Sequence, residues 1–155
     1  MAGTIETRLE ELGIELPDAP APVANYMPYV VTGNLVFISG QVTLWNGEIK
    51  YVGKIGADLS VEQGYEAARM CGLDQIAQLR AACDGDLDRV KQVVKLGAFV
   101  NCVADFTDHP KVVNGASDLM AEVFGEAGRC TRTTVGVPSL PLGFAVEIDG
   151  VFEIT

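Results

Sequence analysis

At 155 residues, with 48% hydrophobic and 21% charged side chains, the chain has the composition of one globular domain large enough to bury a core. A formal net charge of −10 and a pI near 4.4 argue against a nucleic-acid surface, which needs clustered Lys and Arg to neutralise phosphates. A single histidine, His109, also leaves a nuclease short of acid–base groups that work near neutral pH.

The four cysteines, Cys71, Cys83, Cys102 and Cys130, form no C-x-x-C pair, and no histidine cluster completes a zinc pattern. They read as reduced, mostly buried thiols. The opening MAGTIETRLEELG is acidic and amphipathic and lacks the basic region and apolar run of a secretory signal. No apolar run approaches the ~20 residues that span a bilayer. The expectation is a soluble, cytoplasmic protein with no membrane or nucleic-acid partner, no metal and no cofactor.

Residues Ile5 to Leu12 predict a short helix, with Thr4 as a candidate cap and Gly13 as its end. Pro17, Pro20 and Pro22 follow in an extended linker that cannot be a central strand. Residues 1–19 are thus set apart as an N-terminal helix and proline-rich arm, lying on the domain or forming a loose tail; residues 20–155 form the domain. Met27 to Thr32 and Leu35 to Gln41 predict two strands turning at Gly33-Asn34. At the end of the second, Gly40 either lets a ligand approach the backbone or marks a bulge. Trp45-Asn46-Gly47-Glu48 predicts a turn, and Ile49 to Val52 a short strand.

Ser60 and Gln63 make a capping box opening a helix to about Cys83. Asp84-Gly85-Asp86 breaks it, and Val90 to Val103 predicts a long strand, apolar on both sides and therefore internal. A second helix starts at Pro110 and ends at Gly125, with His109 as a cap or surface residue.

Thr131 to Val137 and Phe144 to Thr155 both alternate like half-buried strands, separated by a turn through Pro138, Pro141 and Gly143. Pairing them as a hairpin, apolar against apolar, sets Val137 against Phe144 and Val135 against Val146. It also places Arg132 and Glu147 diagonally on one polar face, where they either contact a small ligand or leave a surface Arg132–Asp149 pair. The whole order, β-β-β-α-β-α-β-β, predicts an α+β fold: a mostly antiparallel sheet with two helices on one face.

The Arg132 strand, Leu140-Pro141 and the strand carrying Val146-Glu147-Ile148 together resemble the reactive-intermediate deaminase (Rid, or YjgF) family. Tyr29, the strand ending in Ser39-Gly40-Gln41, and Val113-Asn114 at a helix start match further family segments in the same order. The likeness covers residues 20 to 155. It implies the chorismate-mutase-like YjgF fold, a homotrimer with clefts between subunits, and hydrolysis of reactive enamine or imine acids, such as 2-aminoacrylate, to 2-oxo acids and ammonia.

The matched residues suit that chemistry. The planar fork of Arg132 can hold a substrate carboxylate bidentately. An imine carbon is already electrophilic, so one positioned water and a carboxylate to relay its proton suffice, and Glu147 fills that role. By resemblance Tyr29 walls the cleft, its alternative being an edge-strand aromatic at a subunit contact. Ser39 and Gly40 lend polar and backbone contacts, Asn114 reaches in from its helix or else caps it locally, and Thr134 shapes the pocket. Thr134 departs from the family's usual Cys or Ser, and Arg129-Cys130-Thr131 replaces a proline-containing approach, so the preferred substrate side chain stays open. Two other functions fit the same residues: a trimeric, non-catalytic sensor of a small carboxylate, and a hydrolase of another C–N bond.

Overall fold

The computed structural model describes residues 3–155; Met1 and Ala2 of the 1–19 segment lie outside them. Its strands are β1 (Tyr29–Thr32), β2 (Leu35–Gln41), β3 (Leu44–Trp45), β4 (Glu48–Ile49), β5 (Val90–Asn101), β6 (Thr131–Val137) and β7 (Val146–Ile154). Three α-helices accompany them: α1 (Thr4–Glu11), α2 (Val61–Ala82) and α3 (His109–Phe124). The main sheet runs β1-β2-β7-β5-β6, antiparallel throughout except for the parallel β5–β6 pair, and β3–β4 form a separate ribbon. An α+β fold with a mostly antiparallel sheet is what the alternation of patterns predicts, with α2 and α3 packed together on one face.

Local chemistry explains most of the boundaries. Ser60 and Gln63 exchange both hydrogen bonds of the capping box at the start of α2, which satisfies two otherwise orphaned N–H groups. Gly33, at φ +59, lets the β1–β2 hairpin close in two residues. Asn46 and Gly47 both have positive φ, the demand of a tight turn between β3 and β4. The strand expected over Ile49 to Val52 does not form as such: β4 covers Glu48–Ile49, pairs with the unexpected β3, and Val52 only bridges Phe144.

One expectation is overturned. β6 and β7 are not a hairpin, and the register Val137 against Phe144 and Val135 against Val146 does not form. Helix α3 is instead the crossover of a β5–α3–β6 unit, returning β6 parallel to β5 with Leu96 opposite Arg132 and Ala98 opposite Thr134. β7 then takes the other edge of β5, antiparallel, with Phe99 opposite Glu147 and Ala98 opposite Ile148. A non-local pairing has displaced the local one.

The core lies between this sheet and the two long helices. Val36, Ile38, Leu96, Val100, Ile148 and Phe152 face Ile76 and Leu79 of α2 and Leu119 and Val123 of α3, all buried. Burial of such side chains supplies the main driving force, about 1.5–3 kcal/mol apiece. A register shift between Val93 and Lys95 keeps both Val93 and Leu96 on the buried face, so β5 is not apolar in simple alternation. All four cysteines are free thiols; only Cys130 is partly exposed.

The N-terminal segment rests on this domain. Helix α1 is capped from Gly3, not Thr4, and its first two N–H groups, of Thr4 and Ile5, donate to the carboxylate of Asp88 at 2.8 Å each. Leu9 is buried in the core, and Arg8 donates to the Glu122 carbonyl at the end of α3. Gln78 of α2 donates to the Pro20 carbonyl at 2.6 Å, which ties the following arm to the same helix.

Candidate functional site: two separated half-sites

Arg132 sits on the helix-covered face of β6. Its Nη1 donates to Asn114 Oδ1 at 2.9 Å and to Ser117 Oγ at 3.0 Å. Asn114 and Ser117 are three residues apart on α3 and therefore share one face of the helix. Both acceptors take the same guanidinium nitrogen, so Nη2 and Nε remain for a planar anion. Among the described residues no carboxylate pairs with this guanidinium within 4.0 Å, and the Arg132–Asp149 pair of the hairpin reading is absent. The side chain lines a small cleft of about 310 Å³ with Asn114, Ser117, Asp118, Arg129 and Cys130. Asp118 accepts a hydrogen bond from the Tyr65 hydroxyl at 2.7 Å, an interaction that raises the tyrosine's pKa.

Glu147 lies elsewhere. Its partner Phe99 and the alternation of β7 put it on the sheet face away from the helices. The β5 partners of Arg132 and Glu147, Leu96 and Phe99, are three positions apart, and β6 and β7 flank β5 on opposite sides. Within one chain the two residues are therefore separated by roughly 10 Å along the strands and about 10 Å across them, on opposite faces. The shared polar face predicted from the hairpin does not exist.

What Glu147 does have is Gly40. The register of β2 against β7 slips between Ile38 and Gln41, so Ser39-Gly40 form an irregular step beside Glu147. A Cβ built on Gly40 would come within 2.7 Å of Glu147 Oε1, so only glycine leaves the carboxylate this close to the strand. Of the two roles expected for this glycine, the structure shows the irregularity. Burial raises the Glu147 pKa above the usual carboxylate range, and the charge of Asp149 raises it further.

Glu147, Ser39, Gly40 and Gln41 open onto a cavity of about 780 Å³. Ser39 is held in place: its hydroxyl donates to the Met27 carbonyl at 2.7 Å, and its own carbonyl accepts from Gln41 and Gln75. The rest of the wall comes from Gln78 of α2, from the β3–β4 ribbon, from Leu142 and Phe144, and from the arm at Asp18–Val23 with Tyr26.

The expected residues thus fall into three groups. Ser39, Gly40 and Glu147 stand together, Asn114 stands with Arg132, and Tyr29 and Thr134 line neither space. Tyr29 is partly buried against the core opposite Ile38, and Thr134 follows Arg132 along β6, opposite Ala98. Sequence reasoning missed Ser117, Gln78, Tyr26 and Leu142. For Ser117 the i, i+3 spacing from Asn114 was a readable signal; the arm residues, with no periodicity, offered none.

His109, at the first turn of α3, stacks edge-on with Phe106 and lies 3.7 Å from Cys102 Sγ, remote from both spaces in its contacts. Among the described residues no three His, Cys, Asp or Glu side chains gather as a metal site.

Comparison with known proteins gives this geometry a family. Residues 6–150 match the family model described as "YjgF/chorismate_mutase-like, putative endoribonuclease". The chain is 47% identical over 154 residues to Protein TCP17 of Trypanosoma cruzi, covering 99% of this chain and 96% of that protein. It is 28% identical to a 2-iminobutanoate/2-iminopropanoate deaminase of Dermatophagoides farinae, over 91% of this chain and 94% of the other. The crystal structure of Atu1372 from Agrobacterium tumefaciens, a protein of unknown function, superposes with a TM-score of 0.91 at 44% identity, covering 97% of this chain and 92% of that one. With the fold, the order of motifs and these matches in agreement, the chain belongs to the Rid/YjgF family.

Proposed function

We propose that the protein hydrolyses reactive enamine or imine acids to 2-oxo acids and ammonia, at a site built from two subunits of a homotrimer. The observation that carries this reading is the separation of the half-sites. Arg132, clamped on one nitrogen, is suited to a carboxylate; Glu147, desolvated against Gly40, is suited to a proton. A small substrate cannot reach both within one chain, whereas a second copy can bring its arginine to this glutamate.

The face of the sheet away from the helices supports assembly. Val30, Phe37 and Val135 on it are exposed and apolar, beside the acids of β7. Such a mixed apolar face is suited to burial against other copies. The homotrimer itself rests on the resemblance to the family, and residence in the cytoplasm on the pattern of the four cysteines.

In the proposed reaction Arg132 fixes the substrate carboxylate and hence the orientation of the C=N bond. Water attacks the imine carbon, forming a C–O bond as the C=N pair moves to nitrogen. Glu147 accepts the water's proton and passes it to nitrogen, giving a carbinolamine. It then relays the hydroxyl proton of that carbinolamine to the amino nitrogen, so that the C–N bond breaks, ammonia leaves and C=O forms. The chain's side chains suffice for each transfer. An endoribonuclease activity, named in the family description, is poorly supported by a net charge of −10.

Turnover of 2-iminopropanoate, generated by an amino-acid oxidase and trapped with semicarbazide, tests the reading. Wild type should deplete the imine; Arg132→Ala should lower kcat/KM by at least ~10²-fold, and Glu147→Gln by about 10²–10⁴-fold. Activity of the wild type should rise with pH through a limb lying above the ordinary carboxylate range, because Glu147 acts as its deprotonated form and burial holds its proton. That limb should vanish in Glu147→Gln. Absence of depletion for this and several longer or aromatic imines would overturn the proposal in favour of a carboxylate-binding protein.

A further inference from the structure

The Glu147 cavity is much larger than a three-carbon acid requires. At about 780 Å³ it lies within the range that holds drug-sized ligands. Its polar lining comes from Asp18, Ser39, Gln41, Asn46, Gln78 and Glu147, while Pro20, Val23, Tyr26, Leu44, Leu142 and Phe144 make much of the remainder apolar. Ile49 lines it too, and four wall residues are large hydrophobics left in water: Val23 is 96% exposed, Leu142 76%, Ile49 50% and Tyr26 47%. Scattered exposed apolar residues need no explanation, but four converging on one opening do.

Two further features hold this opening in shape. Leu142 has φ +54, a left-handed conformation that costs a branched side chain about 1 kcal/mol or more and is concentrated at functional sites. The arm is pinned at two points across the cavity: the Asp18 N–H donates to Asn46 Oδ1 at 2.8 Å, and Gln78 donates to the Pro20 carbonyl. Asn46 belongs to the β3–β4 turn and Gln78 to α2, so the arm spans from ribbon to helix as a fixed wall.

We infer that this arm-walled cavity is a side-chain subsite, and that the substrates are imine or enamine acids carrying a bulky apolar group, branched or aromatic, in place of the small ones. The inference rests on the proposed deaminase reading for its carboxylate and its reacting carbon. The apolar group extends from Glu147 towards Tyr26 and Leu142, where it covers their exposed surface. The N-terminal arm thereby sets specificity, not merely stability.

The test uses the full chain and two 2-oxo acids, 3-phenylpyruvate and pyruvate, with binding read by titration calorimetry. Wild type should bind 3-phenylpyruvate at least about tenfold more tightly than pyruvate. Ala21→Trp, on the arm and facing the cavity, should erase that preference by weakening 3-phenylpyruvate binding. Leu142→Gly, which suits the local backbone, should reduce it in the same direction. Equal affinity in wild type, or a preference that survives Ala21→Trp, would overturn the subsite. Arg132→Ala separates the two readings: if it leaves both affinities unchanged, the carboxylate assignment fails, whereas the effect of Ala21→Trp still scores the subsite.

Discussion

The Arg132 cleft and the Glu147 cavity are built by opposite means. The first is small and polar, assembled by a helix face that ties down one nitrogen of a permanent cation. The second is large and mostly apolar, assembled from a strand irregularity, a ribbon, a helix and the N-terminal arm around one desolvated carboxylate. A cation that must grip an anion gains from fixed acceptors that leave its outer edge free. A carboxylate that must exchange protons near neutral pH gains from lost hydration, which raises its pKa. On the proposed reading the chain places the two tasks where each environment can be made, and a complete site takes both.

The contrast can be broken most severely beneath the Glu147 cavity. Asp74 of α2 is fully buried, one helical turn before Gln78 and beside Leu44, and neither carboxyl oxygen has a hydrogen-bond partner among the described residues. Burial pushes its pKa up to about 8; the Leu44 N–H, already donated to Val42, opposes this only weakly. The folded chain therefore holds a proton that the unfolded chain, with an ordinary carboxylate near ~4, has released. Folding stability should fall as pH rises from about 4 to about 8, at up to ~1.4 kcal/mol per pH unit from this group. Asp74→Asn, neutral at every pH, should flatten that slope and stabilise the chain at pH 8 by a few kcal/mol. Urea midpoints for both chains across this window check it, and an unchanged slope would remove the buried acid from the account.

A gentler change sharpens the other half. Ser117→Ala removes one of the two acceptors that orient the Arg132 guanidinium while Asn114 keeps the other. Loss of one such hydrogen bond should raise KM roughly fivefold with kcat nearly unchanged. A fall in kcat without a change in KM would contradict a role for Ser117 in positioning the carboxylate-binding group.

How much of this was legible depended on the range of the interactions. The capping box at Ser60, the Gly33-Asn34 hairpin and the Asn46-Gly47 turn were readable because each is closed by residues a few positions apart. The β6–β7 hairpin was also a local reading, and it failed because a crossover through α3 put β5 between the two strands. Every consequence of the hairpin failed with it, including the common face of Arg132 and Glu147. Their residue types suit an anion grip and a proton carrier however the strands pair, and those roles rest on the proposed reaction. The arm's place as a cavity wall was illegible, since prolines in an extended segment carry no periodicity and its anchors, Asn46 and Gln78, are distant in sequence.

The central claim is that a complete site takes Arg132 from one subunit and Glu147 from another, and subunit mixing tests it most directly. Arg132→Ala and Glu147→Gln chains, each inactive alone, are unfolded together, refolded at equal concentration and assayed for imine depletion. If the site crosses subunits, random trimers should regain about a quarter of wild-type activity, the fraction of interfaces that pair an intact arginine with an intact glutamate. Mixed trimers as inactive as their parents would contradict the account and require both residues to act from one chain.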